Sequence, residues 1–103
     1  MALYNNETVS VITPVYNVAK VIERTLDSML MQDYKDLEIV LVDDCSKDNS
    51  AEIIKRYKKL YPNIVYHTQE KNGGAAVARN TALNIAKGRY VVFSTPIATD
   101  FYF

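Results

Sequence analysis

The chain of 103 residues holds one cysteine, three glycines and three prolines, and it has no net charge. A lone thiol, Cys45, excludes an internal disulfide framework and leaves too few thiolates for a structural zinc site; a reducing compartment fits. The glycines stand at 73, 74 and 88. None directly follows the first apolar segment, so there is no G-x-G-x-x-G fingerprint, and no G-x-x-x-x-G-K-[ST] occurs anywhere. Pro14 and Tyr16 occupy the place where a dinucleotide fold needs glycine for close pyrophosphate approach, which disfavours NAD, FAD and P-loop readings. A balanced charge removes any electrostatic argument for nucleic acid as a partner. The basic cluster Lys55, Arg56, Lys58 and Lys59 reads as a solvated helix face. No stretch approaches the roughly 20 apolar residues of a membrane span, and MALYNNETVS lacks the charged start and apolar run of a signal peptide.

What is present is an ordinary globular balance, 49% hydrophobic and 23% charged, enough for one domain with a modest core. Its centre is Leu37 to Ser50, LEIVLVDDCSKDNS. Ile39 to Val42 is apolar on both faces, as suits a central parallel strand covered on both sides. Asp43 and Asp44 follow at its C-terminal end, where open α/β sheets bind ligands. Two readings of the pair stand: ordinary turn residues or groups that meet a ligand.

Around this centre the chain alternates. Thr8 to Thr13 reads as a strand stopped by Pro14. Val18, Val21, Ile22, Thr25, Leu26, Met29 and Leu30 recur at helical spacing, with Asn17 as N-cap and an end near Gln32 to Lys35. A second helix follows the acidic loop, capped by Asp48, Asn49 or Ser50, burying Ile53, Ile54, Tyr57, Leu60 and Tyr61, and ended by Pro62. Ile64 to Thr68 is a third strand. Ala75 to Lys87 is a third helix, with small residues Ala75, Ala76, Ala78, Ala82 and Ala86 towards a sheet and Gly88 at C′. Tyr90 to Phe93 is a fourth strand. The order βαβαβαβ with short connections predicts an α/β fold: an open, mostly parallel, Rossmann-like sheet with helices on both faces and strand order 3-2-1-4. The switch point then lies between the first and fourth strands. A crevice is expected above them, bounded by Pro14 to Asn17 and Asp43 to Ser46, with Asn72 to Gly74 close by. Asn72-Gly73-Gly74 suits either close backbone approach to a ligand or a flexible turn. Cys45 reads as a small loop residue rather than a nucleophile, having no nearby His or second Cys to activate it. His67 reads as an ordinary strand residue.

VSVITPVYN, EIVLVDDCSKDNS, NGGAAVARN and KGRYVVF, in that order and spacing, resemble the N-terminal, nucleotide-binding half of family 2 glycosyltransferases of the GT-A fold. The resemblance covers about Thr8 to Phe93. It implies transfer of a sugar from a nucleotide diphosphate sugar, most often a UDP-sugar, to an acceptor expected to be a saccharide, and it suggests inversion at the anomeric centre. It implies that Pro14, Val15, Tyr16 and Asn17 line the nucleotide pocket, that Asp44 contacts the base and Asp43 supports the pocket near the ribose, and that Asn72, Gly73 and Arg79 border the nucleoside and diphosphate. The family places an acidic D-x-D-type motif after a strand like YVVF, where it holds Mg²⁺ or Mn²⁺ against the diphosphate. Here Thr95, Pro96 and Ile97 stand in that place and none is a carboxylate, so the metal is expected for the family but not for this chain, and catalytic residues are expected to be absent. Deleting one base from a codon series for Phe-Leu-Asp-Ser-Asp yields Phe-Ser-Thr-Pro-Ile, as in Phe93 to Ile97. Ser94 to Phe103 is therefore expected to be an out-of-frame tail on a truncated transferase. A receiver domain is disfavoured, because its acid pair would follow the first strand. The chain is expected to form homo-oligomers through the Tyr90 to Phe93 edge or the Phe101-Tyr102-Phe103 tail, and to lie in the cytoplasm, its parent enzyme near the membrane.

Overall fold

A computed structural model of the chain describes residues 7–94. Thr95, Pro96, Ile97, the aromatic tail and the expected out-of-frame segment beyond Ser94 lie outside the described residues.

Seven elements alternate: β1 (Val9–Val15), α1 (Ile22–Leu30), β2 (Leu37–Asp43), α2 (Ser50–Leu60), β3 (Ile64–Thr68), α3 (Ala75–Ile85) and β4 (Tyr90–Phe93). The four strands form one parallel sheet in the order β3-β2-β1-β4, as the alternation predicts. Residues of period two divide the core. Val11, Val15, Ile39, Leu41 and Ile64 pack on one face against Ile22, Leu26 and Met29 of α1 and Ile53 and Ile54 of α2. Ile12, Val40 and Val42 pack on the other against Ala78 and Ala82 of α3. β2 is thus apolar on both faces because both are covered, and each buried side chain contributes about 1.5–3 kcal/mol of transfer free energy.

β1 does not stop at Pro14 as expected; it runs on to Val15. The N–H of Val9 donates to Asp36 O and that of Asp44 to Val15 O, so odd-numbered residues of β1 face β2. The N–H groups of Tyr90 and Ser94 donate to Thr8 O and Ile12 O, so even-numbered residues face β4. Pro14 therefore lacks its N–H on the β4 side, one step past the last rung at Ser94. It ends that ladder while leaving the β2 ladder whole. Asp43 likewise belongs to β2, in register with Val15 and Thr68.

α1 and α3 are shorter than their periodicities predict, while α2 keeps its expected bounds between the Asp48 to Ser50 cap region and Pro62. α1 begins at Ile22, not Val18, and ends at Leu30. Asn17 is not its N-cap. Its backbone is left-handed, φ 51°, and its side chain accepts the Lys47 N–H, while the first helical turn starts from the Val18 carbonyl. In α2 only Ser50, Ile53 and Ile54 are fully buried; Leu60 is 74% exposed, because the sheet is already covered one turn earlier. α3 ends at Ile85 and buries only Ala78 and Ala82 fully; Ala75 and Ala76 project beyond the sheet end and are exposed. Gly88 is not a left-handed C′ residue, since Gly74 is the one glycine with positive φ. It is required by close approach: a Cβ there would meet Ser10 Oγ at 2.5 Å and Thr8 O at 2.7 Å.

Candidate functional site

The C-terminal ends of β1 and β2 and the N-terminus of α3 enclose a crevice of 380 Å³, lined by Pro14, Val15, Tyr16, Val18, Asp44, Asn72, Gly74, Ala75 and Arg79. Sequence reasoning expected a crevice above β1 and β4, at the switch point; among the described residues the lining comes from the ends of β1 and β2 and from α3, and no residue of β4 joins it. Six of the residues singled out in the sequence meet here: Pro14, Val15, Tyr16, Asp44, Asn72 and Arg79. Val18, Gly74 and Ala75 join them; the signal for the last two was the Gly-Gly pair directly before a helical pattern.

Asn17, Asp43 and Gly73 stand behind the lining. Gly73 and Gly74 donate their N–H groups to the two oxygens of Asp44, each at 2.8 Å, and Asn72 Nδ2 reaches the Asp44 carbonyl at 3.3 Å. Asp44 therefore clips the loop before α3 to the end of β2. A carboxylate has about four acceptor positions, so two stay available towards the crevice. Gly74 adopts φ 92° and ψ 168°, a region essentially closed to other residues, which is why the second glycine of the pair carries the turn. Arg79 follows one turn inside α3, with its side chain on the crevice.

Asp43 is buried, on the α1 and α2 side of the sheet. It accepts the Ser46 N–H at 2.8 Å and the Tyr66 hydroxyl at 2.6 Å. Burial, then this bond to Asp43, pushes the Tyr66 phenol up to about 12. The loop after β2 is laced to the loop after β1. Asn17 N–H donates to Ser46 Oγ, Val18 N–H to Ser50 Oγ and Ala19 N–H to Asp48 Oδ2. Asp48 also accepts the Ser50 N–H and hydroxyl. Burial raises its pKa, but these bonds outweigh burial and hold the carboxyl below its ordinary value of 3.8. Asn49 is the N-cap residue of α2 but makes no side-chain cap bond; Asp48 and Ser50 supply the polar contacts.

Cys45 holds a left-handed backbone, φ 67°, and its thiol meets Gln69 O at 3.3 Å. His67 is an exposed strand residue bordering a separate cleft with Val77 and Thr81. Among the described residues no cluster of three or more His, Cys, Asp or Glu is placed to hold a metal ion. Asp43 and Asp44 do not form a divalent-cation pair either, because the pleat turns Asp43 away from the crevice to the α1 and α2 side, where Ser46 and Tyr66 hold it.

The family described as glycosyl transferase family 2 matches residues 10–95. The glycosyltransferase TuaG of Bacillus subtilis is 49% identical over 85 residues, covering 82% of this chain and 34% of TuaG. The crystal structure of S. aureus TarS 1–349 in complex with UDP-GlcNAc superposes with a TM-score of 0.81 at 38% identity, covering 86% of this chain and 26% of that one. The mannosyltransferase PcManGT from Pyrobaculum calidifontis, in complex with GDP-Man and Mn²⁺, gives a TM-score of 0.80 at 35% identity, covering 88% of this chain and 29% of its own. The chain thus spans about a third or less of the length of these relatives.

Proposed function

Because the chain belongs to family 2 of the glycosyltransferases, we propose that its crevice binds a nucleotide diphosphate sugar, a UDP-sugar in the first instance, as the donor half of a sugar transfer. The observation that carries this is the convergence of Tyr16, Asp44 and Arg79 on one crevice. Tyr16 is 45% exposed on its wall and offers an aromatic face for a base. Asp44 keeps acceptor positions for a base N–H, and Asn72 and Gly74 border the nucleoside. Arg79 supplies a permanent cation for the diphosphate, with bidentate geometry that lysine lacks. Pro14 and Val15 form the floor; Asn17, Asp43 and Gly73 hold the walls from behind. UDP is favoured by the UDP-GlcNAc held by TarS, with GDP, as in PcManGT, as the alternative base.

Residues 1–103 are read as one nucleotide-sugar-binding unit, with a saccharide as the acceptor of the whole enzyme, in the cytoplasm and close to the membrane. No described helix is long and apolar enough to cross a membrane. The Mn²⁺ of PcManGT supports a divalent cation for the reaction, but no step is assigned to it through the described residues. A second reading, nucleotide binding without turnover by this chain, is favoured by Thr95, Pro96 and Ile97, which carry no carboxylate. Self-association is proposed through β4, an edge strand whose Tyr90 and Phe93 are half exposed.

Calorimetric titration tests the reading. UDP binds the chain, and Arg79→Ala weakens UDP about tenfold while uridine affinity holds, as expected for a lost charge-assisted contact to phosphate. No binding of UDP or GDP, or equal loss for UDP and uridine, overturns it. Added Mn²⁺ separates the two readings: affinity that rises with Mn²⁺ favours a reacting site, and unchanged affinity favours the binding module.

A further inference from the structure

A tyrosine outside the crevice is tied to its wall by a line of hydrogen bonds that alternates between side chains and backbone N–H groups. Tyr66 lies on β3, the sheet edge farthest from β4, and its ring packs on the α1 and α2 side. Its hydroxyl donates to Asp43 Oδ2 at 2.6 Å, and Asp43 Oδ1 accepts the Ser46 N–H at 2.8 Å. Ser46 Oγ accepts the Asn17 N–H at 2.9 Å, and Asn17 Oδ1 accepts the Lys47 N–H at 2.7 Å. Asn17 sits between Tyr16 and Val18, two lining residues, and holds φ 51°.

A left-handed backbone at a non-glycine residue costs of order 1–3 kcal/mol and persists only where the surroundings over-determine it. Here the bonds to Ser46 and Lys47 supply that constraint. They hold only if the loop carrying Ser46 is itself fixed, which Asp43 does, and Asp43 is 2% exposed. A buried carboxylate with one free oxygen would turn to seek a second donor. Tyr66 is the donor that stops it.

We propose that Tyr66 is a positioning residue for the nucleotide crevice, acting through Asp43, Ser46 and Asn17 to set the wall formed by Tyr16 and Val18. This rests on the nucleotide-binding reading above. It adds to that reading a residue that touches no ligand, on a strand that contributes nothing to the lining. The raised pKa of the phenol agrees with a hydroxyl that stays a donor to Asp43 at every working pH.

The test uses the whole chain with Tyr66→Phe, Ser46→Ala and the double variant. Amide hydrogen exchange is followed at Asn17, Ser46 and Lys47, and UDP binding is measured by calorimetry. Tyr66→Phe speeds exchange at those three amides while the amides of β1 and β2 keep their rates. It also weakens UDP about fivefold, within the range by which remote residues modulate a site. The double variant loses no more affinity than Ser46→Ala alone, because both cuts fall on one line. Unchanged exchange at Asn17 and Lys47 in Tyr66→Phe overturns the proposal. So does faster exchange throughout the sheet, which marks a merely structural residue, and so do additive losses of affinity. If the unaltered chain binds neither UDP nor GDP, the nucleotide reading and the proposed role in binding fall together; exchange at the three amides then still decides whether the bond line sets the wall.

Discussion

Substituting Gly88 by alanine tests the packing at the entry to β4. The chain leaving α3 passes directly over the start of β1. The Gly88 N–H donates to Ser10 Oγ at 2.8 Å, and Ser10 in turn donates to Glu38 Oε1 at 2.6 Å. An added Cβ would lie 2.5 Å from Ser10 Oγ, 2.7 Å from Thr8 O and 2.8 Å from Ser10 N. Two of those three atoms are backbone: Thr8 O accepts the Tyr90 N–H, and Ser10 lies in a strand paired on both sides, so neither can move without opening a ladder. Overpacking of this kind costs about 1–3 kcal/mol, and losing the bond to Ser10 adds about 1 kcal/mol. We expect Gly88→Ala to destabilise the chain by about 3 kcal/mol, read in urea melts as a lower midpoint at an unchanged slope. In a domain of this size that corresponds to a Tm lower by ~10–20 °C. Gly88→Asn separates this account from a left-handed C′ cap, because asparagine tolerates a left-handed backbone but not the missing space. If Gly88→Asn is near neutral, or Gly88→Ala costs under about 0.5 kcal/mol, the close-approach argument is refuted.

Three further outcomes follow from the same contacts. Thr13 is fully buried and its Oγ1 has no hydrogen-bond partner, so Thr13→Val, nearly equal in shape, should stabilise the chain by about 1 kcal/mol in urea melts. Gly74→Ala meets nothing within 4 Å, yet its φ of 92° should cost ~1–3 kcal/mol, a strain without a clash that complements the Gly88 case. Asp48, whose carboxyl is held below its ordinary value, should give a pH-dependent difference between the chain and Asp48→Asn. Folding favours the charged form, so the contribution is full above about pH 4–5 and fades as pH falls through the folded-state pKa. Melts at pH 7 and pH 3 check the sign; a difference that grows on acidification contradicts it.

How far the sequence carried the fold depends on which features are local. The period-two and 3.6-residue patterns placed all seven elements, and the single handedness of parallel βαβ units narrowed the strand orders to a few, of which 3-2-1-4 is the Rossmann-like one. The ends of elements were less legible. Val18 and Val21 continue the helical spacing of α1, but their turn is set from another loop, by Ser50 and Asp48 binding the backbone of Val18 and Ala19. No pattern within residues 17–21 carries that information. Leu60 fits the apolar stripe of α2 and yet is exposed, because whether a sheet still lies beneath the last turn is a tertiary fact.

The site divides in the same way. Residues that line the crevice by sitting at a strand end were readable from their place in the alternation, as with Asp44. Asp43, its neighbour, is of the same type and on the same strand end, but the pleat turns it to the opposite face, where it meets Tyr66 and Ser46 rather than the crevice. Two adjacent acids at the end of one strand therefore cannot share a single role. The alternation of side chains along β2 already required that separation, and what it could not supply was the identity of the partner waiting on the far side. Tyr66 is 23 residues away from Asp43 in sequence, on a strand whose own pattern shows only an aromatic at a half-buried position, and nothing in that pattern distinguishes a hydroxyl that is bonded from one that faces water.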